Sequence, residues 1–213
     1  MKALVAYFSA TGTTEAVAKT IASLLECDIY EIVPDPLYTK DDLNWNNTKS
    51  RSSVEMKEEN SRPAIKSPAV NIEQYDRIFL GFPIWWYIAP RIINTFLESY
   101  DLSDITIIPF ATSGGSGMGQ TVDHLRPSAL EARFTEGKML NNTSTAAIAA
   151  WLNDLSLTYL PSNTKFESMN DHEKKTDLFN RQKKTLDTFL ARKAITQEDY
   201  EKSLSQLKEK MGM

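Results

Sequence analysis

Short apolar runs alternating with amphipathic helical stretches predict an α/β protein organised around a doubly wound parallel sheet. Strand and helix signals alternate five times along the chain, and loops rich in hydroxyls or glycine follow the first and fourth strands. The composition, 41% apolar and 24% charged over 213 residues, supplies enough apolar surface for one packed domain with a small appendage. In such a sheet, ligands bind beyond the carboxyl ends of the strands.

The first strand is read over Ala3–Phe8, a continuous apolar run suited to burial on both faces. From Thr13 to Leu25, Val17, Ile21, Leu24 and Leu25 recur at helical spacing, with Ala16, Ala18 and Ala22 beside them. Asp28–Val33 predicts a second strand, closed by Pro34 and Pro36. Asp35–Asn71 is a long polar connection with a helix expected over Ser52–Asn60, and connections of that length inside a domain are usually functional. Arg77–Phe82 predicts the third strand. Pro90 then fits the first turn of a helix that buries Ile92, Ile93, Phe96, Leu97 and Tyr100. Ile105–Phe110 predicts the fourth strand and Ala132–Leu140 a weaker fifth. Helices over Gln120–Leu130, interrupted at Pro127, and over Thr143–Leu155 complete the alternation.

Charge and composition narrow the function. Net charge is −4, with 13 basic against 19 acidic residues up to Leu160 and 11 against 9 beyond it. An acidic body without a Lys/Arg cluster argues against nucleic acid, whose phosphates need concentrated positive charge. No apolar run reaches the roughly 18 residues of a membrane span, and Met1–Ser9 is too short for a signal peptide, so a soluble cytoplasmic protein with no membrane partner is expected. A single cysteine, Cys27, excludes an internal disulfide, and the distant His124 and His172 leave little for a metal. Chemistry is therefore expected from a bound organic cofactor.

Three loops are candidates to hold one. Ser9-Ala10-Thr11-Gly12-Thr13-Thr14 lies between the first strand and first helix, where N–H groups at a helix N-terminus form an anion site. It contains no Lys or Arg, the nearest being Lys19, so a phosphate there would rest on hydrogen bonds and the helix dipole. It is not a Walker loop, since Gly137-Lys138 precedes Met139. Gly115-Ser116-Gly117-Met118-Gly119 is not a dinucleotide fingerprint either, since Gln120 takes its last position. Gly81–Tyr87 follows the third strand and carries three successive aromatics, Trp85, Trp86 and Tyr87, a surface suited to a flat ring. Thr112–Gly117 follows the fourth strand and offers backbone donors without side-chain bulk. Taken singly, the loops have plainer explanations: a hydroxyl-capped helix start, core packing with one exposed indole, and a flexible turn.

Together the loops resemble the flavodoxin family, through Ser-Ala-Thr-Gly-Thr-Thr at 9–14, Gly-Phe-Pro-Ile-Trp-Trp at 81–86 and Phe-Ala-Thr-Ser-Gly-Gly-Ser-Gly at 110–117. The resemblance spans Met1 to about Leu155. It implies a five-stranded parallel sheet of order 2-1-3-4-5, with FMN as ligand and a domain over 1–160. It further implies that Ser9, Ala10, Thr11, Gly12, Thr13 and Thr14 wrap the FMN phosphate. Pro83, Ile84, Trp85 and Trp86 would line the isoalloxazine, and Thr112, Ser113, Gly114, Gly115 and Gly117 would meet its pyrimidine edge. One departure is plain: Thr112–Gly119 contains no aromatic residue to cover the outer ring face. Trp85, Trp86, Tyr87, or Tyr38 or Trp45 of the long connection, would supply the cover, or that face stays open to a substrate.

With redox chemistry belonging to the flavin, negative charge gained beside apolar rings and an uncompensated phosphate would hold electrons at low potential. No side chain is needed as acid or base, so no catalytic residue is nominated. The expectation is an electron carrier between redox partner proteins, or toward a small acceptor such as a quinone. An FMN-dependent NAD(P)H or quinone oxidoreductase is the first alternative. A non-redox assembly protein with a vestigial flavin site is the second. Cys27 reads as a buried small apolar residue, and His124 as surface or core packing. Glycosylation-type triplets at 46–48 and 142–144 have no role in a chain without a secretion signal.

Residues 161–213 read as a linker over Pro161–Asn170 and a helical hairpin. Leu178, Phe179, Leu186, Phe189 and Leu190 share a helical face within Glu173–Lys193. Thr196 reads as the N-cap of a second helix, with Asp199 in the capping-box position and Tyr200, Leu204, Leu207 and Met211 on its apolar face. Residues 185–211 resemble the C-terminal SHOCT motif, with Ala194 where that motif has glycine, which implies homo-oligomerisation through these helices.

Overall fold

The computed structural model describes residues 2–67, 69–158 and 195–211, with 175, 176, 179, 182, 183, 186, 187 and 190. The chain divides into two compact units, Met1–Asn142 and Thr143–Met213.

The first unit is built on β1 (Ala3–Tyr7), β2 (Asp28–Glu31), β5 (Arg77–Pro83) and β6 (Thr106–Thr112), extended by the short β7 (Arg133–Phe134) and β8 (Lys138–Met139). The strands run parallel in the order β2-β1-β5-β6-β7, with β8 also paired to β6. This is the expected 2-1-3-4-5 order, with its fifth strand in two pieces interrupted at Thr135–Gly137. Central β6 is buried along its whole length, whereas edge strand β2 exposes Ile29.

Alternation of side chains across the sheet splits its core in two. Leu4, Ala6, Phe8, Ile78, Leu80, Phe82 and Ile107 pack in one cluster with α3 (Arg91–Glu98). Four of the five residues expected on the buried stripe of α3, Ile92, Ile93, Phe96 and Leu97, are fully buried there. Tyr100 is half-buried past its end, with its ring 5.2 Å from that of Phe96. Pro90 is the N-cap of α3 rather than its first helical residue. On the opposite face α1 (Thr13–Leu25) packs against β1, β5 and β6. Its buried residues are Thr14, Ala18, Ile21, Ala22 and Leu24, while Val17 and Leu25 are only half-buried. Small alanines at the contact let the helix lie close to the sheet.

One close approach requires glycine. A Cβ on Gly81 would lie 2.2 Å from Cζ of Phe110, its register partner on β6.

The long connection is ordered by local hydrogen bonds. It holds a two-stranded antiparallel pair, β3 (Pro34–Asp35) with β4 (Ala64–Ile65), and α2 (Arg51–Lys57). The helix is capped by the Ser50 hydroxyl, which accepts from Ser53 N–H, and is shorter than expected. Two contacts tie the segment to α3. Arg62 forms a forked pair with Glu98 at 2.7 and 2.8 Å, and buried Arg91 donates to the Met56 carbonyl at 3.4 Å. After β6, α4 covers only Thr121–Leu125, and Pro127 sits in a 3-10 turn over Arg126–Ser128.

The second unit contains α5 (Thr145–Thr158) and α6 (Gln197–Met211). Thr196 and Asp199 form the expected capping box: each accepts the other's backbone N–H, at 3.2 and 3.1 Å, and their side chains bond at 2.6 Å. Leu186 and Leu207 are buried together against Phe179, Ile195, Tyr200 and Leu204. Leu178, Phe189 and the linker read over 161–170 lie outside the described residues. No helix among the described residues is long and apolar enough to cross a membrane.

Candidate functional site

The carboxyl ends of β1, β5 and β6 bring the three loops to one cleft. Parallel register dictates this: Tyr7 faces Gly81, and Gly81 faces Phe110, so the chain leaves all three strands at one level.

In the first loop Gly12 adopts φ 85, the left-handed region that favours glycine, and its N–H donates to Ser9 Oγ at 3.1 Å. The turn aims the first amides of α1 outward. Ala16 N–H takes the Gly12 carbonyl at 3.0 Å, while the N–H groups of Thr13, Thr14 and Glu15 have no acceptor among the described residues. Thr11 and Thr13 carry exposed hydroxyls 3.4 Å apart. Donors left over in this way, with no cation among them, suit an anion. Glu15 lies in the same first turn and pairs with Lys19 at 2.5 Å. Negative charge gathers behind the loop as well. The Tyr7 hydroxyl is pushed up to about 12, by burial first and then by the Glu31 and Glu15 carboxylates.

The second loop is a tight hairpin: Trp85 and Ile88 exchange backbone bonds at 2.9 and 3.1 Å. Trp86 and Tyr87 occupy its two central positions with φ 45 and 71. A two-residue hairpin favours glycine or asparagine there. Two bulky residues held in left-handed geometry cost roughly 1–2 kcal/mol each, yet both rings are exposed, at 44% and 75%. Trp85, which also borders the cleft, is less exposed. It packs edge-on against Phe8 and Tyr38, with ring centroids at 5.6 and 5.4 Å.

The third loop closes on itself: Ser113 Oγ donates to the Ser116 carbonyl and accepts Gly115 N–H. The N–H groups of Gly114, Ser116 and Gly117 have no acceptor among the described residues. Nothing lies within 4 Å of a Cβ built on Gly114, Gly115 or Gly117, and none of the three has positive φ. Neither packing nor backbone conformation calls for glycine here; a ligand lying flat against the backbone would.

The resulting cleft is about 530 Å³, lined by Ala10, Thr11, Pro83, Ile84, Trp85, Trp86, Tyr87 and Ser116, with Leu43, Trp45 and Ser52 from the long connection. That size suits a cofactor, and no charged residue lines it. The arrangement can hold a phosphate monoester at one end and a flat aromatic group at the other.

The structure refines the sequence expectations at several residues. Thr14 and Thr112 are buried, and their hydroxyls bond to each other at 2.8 Å rather than facing the cleft. Tyr38 is withdrawn between Phe8 and Trp85: its hydroxyl donates to Glu55, and Arg51 lies over its ring at 4.2 Å. Burial and the Glu55 carboxylate push its hydroxyl well above the usual range. Trp45, by contrast, lines the cleft and is 72% exposed. Sequence reasoning missed Asn141, whose Oδ1 accepts Ser113 N–H at 2.7 Å and braces the third loop. Its only sequence signal is a position just past the fifth strand. His124 is exposed and outside the cleft lining. Cys27 sits at the amino ends of the strands, with its thiol pushed up to about 11, chiefly by burial.

Comparison with known proteins agrees with this geometry. The flavodoxin family model, described as Flavodoxin, matches residues 2–155. The fold matches a crystal structure from Bacteroides eggerthii, provisionally called a flavoprotein, with 50% identity and a TM-score of 0.69, covering 73% of this chain and 98% of that one. A second, provisionally named in the same way, comes from Bacteroides uniformis, with 47% identity, a TM-score of 0.69 and coverage of 71% and 97%. A flavoprotein from Lactobacillus acidophilus, solved in complex with FMN, shares the fold at 22% identity and TM-score 0.54, covering 65% and 92%. Among curated proteins nothing matches. A family match across the sheet and all three loops, together with the strand order, establishes that the chain belongs to the flavodoxin family.

Proposed function

We propose that the chain binds FMN in the carboxyl-end cleft and carries electrons at low potential between redox partner proteins. The observation that carries this reading is the meeting, in one uncharged cleft, of an anion loop, an aromatic wall and a glycine loop with free donors. FMN, when bound, supplies the redox chemistry.

The chain's own residues bind and orient it. The N–H groups of Thr13, Thr14 and Glu15 and the hydroxyls of Ser9, Thr11 and Thr13 take the phosphate, with Ala10 and Gly12 shaping the turn. Pro83, Ile84, Trp85 and Trp86 give the ring an apolar bed and exclude water. The N–H groups of Gly114, Ser116 and Gly117 face its polar edge, while Thr112, Ser113 and Gly115 hold the loop in shape through their own hydrogen bonds. Because no cation lines the cleft, these residues offer little to stabilise added negative charge, which favours a low potential.

One observation favours a second reading, an FMN-dependent NAD(P)H or quinone oxidoreductase. The third loop puts no aromatic over the cleft, leaving room for a small acceptor beside the ring. The test is titration of the purified chain with FMN by fluorescence quenching, followed by stepwise anaerobic reduction. Tight one-to-one binding with two well-separated one-electron potentials supports the carrier. Concerted two-electron reduction with rapid turnover of quinones supports the reductase. No uptake of FMN rejects both and points to an assembly role.

A further inference from the structure

We propose that Thr112 is a positioning residue that holds the phosphate end and the ring end of the cleft in fixed register, coupling recognition of the two halves of the ligand. The inference rests on the FMN reading above. Three bonds meet at this point of β6. Thr112 Oγ1 shares the 2.8 Å bond with Thr14 Oγ1 in the first turn of α1. Its carbonyl accepts Ile84 N–H, from the aromatic loop, at 2.8 Å. The N–H of the next residue, Ser113, donates to Asn141 at 2.7 Å. One strand end therefore ties the anion loop, the aromatic loop and the glycine loop together.

Burial makes the hydroxyl bond consequential. Thr14 is 1% and Thr112 2% exposed, so removing either hydroxyl leaves the other buried without a water to replace its partner. The bond thus fixes the spacing between the helix amides and the ring-edge donors before any ligand arrives. A ligand that spans both ends gains from that preorganisation. A ligand that touches only one end does not. FMN spans both; riboflavin, which lacks the phosphate, engages the ring end alone.

The test measures FMN and riboflavin affinities of the full chain by quenching of flavin fluorescence, in the wild type, Thr112→Val, Thr14→Val, the double variant and Thr112→Ser. The valines remove the hydroxyl and the serine keeps it. The preference for FMN over riboflavin is expected to fall about three- to tenfold in either valine variant, the worth of one hydrogen bond. It should fall no further in the double variant and stay at the wild-type level in Thr112→Ser. Simple loosening of the fold would weaken both flavins alike and leave the preference unchanged. An unchanged preference in both valine variants, or additive losses in the double, overturns the inference. If Thr112→Val fails to fold by circular dichroism, Thr14→Val against Thr14→Ser decides by the same ratio. A wild type that binds neither flavin rejects the FMN reading itself, whereas one that binds FMN with an unmoved ratio rejects only the coupling.

Discussion

The two ends of the same sheet carry two hollows of opposite character. At the carboxyl ends, the 530 Å³ cleft is lined by indoles, small residues and hydroxyls, without a charge. At the amino ends, a hollow of about 280 Å³ is lined by Lys2, Glu26, Cys27, Asp28, Arg77 and apolar neighbours. There Lys2 and Asp28 are tied into the fold: Asp28 pairs with Lys2 at 3.2 Å and accepts the Tyr75 hydroxyl at 2.8 Å, and Asp76 accepts Lys2 N–H at 2.5 Å. Charge at the amino end is spent on the fold. At the carboxyl end, donors are left over and the backbone is held in costly geometry at Trp86 and Tyr87, the combination expected where a ligand binds.

Four substitutions sharpen that contrast. The largest effect is expected for Gly81→Ala, which drives a methyl into the Phe110 ring at the base of the cleft. Overpacking of this kind costs about 1–3 kcal/mol, measurable as a lower midpoint in urea denaturation. Trp86→Gly is expected to separate function from stability. Removing the exposed indole weakens FMN roughly tenfold, the upper end for an aromatic contact. Stability stays within about 1 kcal/mol, since glycine suits the left-handed turn. Calorimetric binding with a parallel melt checks both. Glu15→Gln removes a carboxylate from the anion site and should tighten FMN about two- to fivefold at low salt, while slightly weakening α1. Asp28→Asn, at the other end, should leave FMN affinity unchanged. The Tyr75 hydroxyl and then Lys2 hold the Asp28 carboxyl below its usual range. A depressed folded-state pKa contributes stability above the unfolded value of about 3.9 and loses it as pH falls through the folded one. The Asn variant should therefore be less stable than wild type by under about 1 kcal/mol near pH 7, with the gap closing below about pH 4.

Much of the carboxyl end was legible in the sequence because it is local. A strand, a hydroxyl-rich turn and a helix are written consecutively in residues 3–25, and parallel pairing then brings the later loops beside the first. Contacts between distant residues were not legible. Nothing in the residues around Thr14 indicates that its hydroxyl meets Thr112, 98 positions away, and nothing beside Asn141 indicates that it meets Ser113. The β3–β4 pair is not legible because two residues per strand leave no alternation to read. Tyr38 and Trp45 carry the same sequence signal; only packing withdraws one and exposes the other.

The central claim is that a phosphate monoester is held at the carboxyl end by amides and hydroxyls, without a counter-cation. Salt dependence of FMN affinity tests it most directly, since screening weakens attraction to a cation and relieves repulsion from Glu15 and the acidic body. One-to-one binding that stays level or tightens between low and high ionic strength is the result this account predicts. Failure to bind FMN, or affinity that falls steeply with salt, would contradict it.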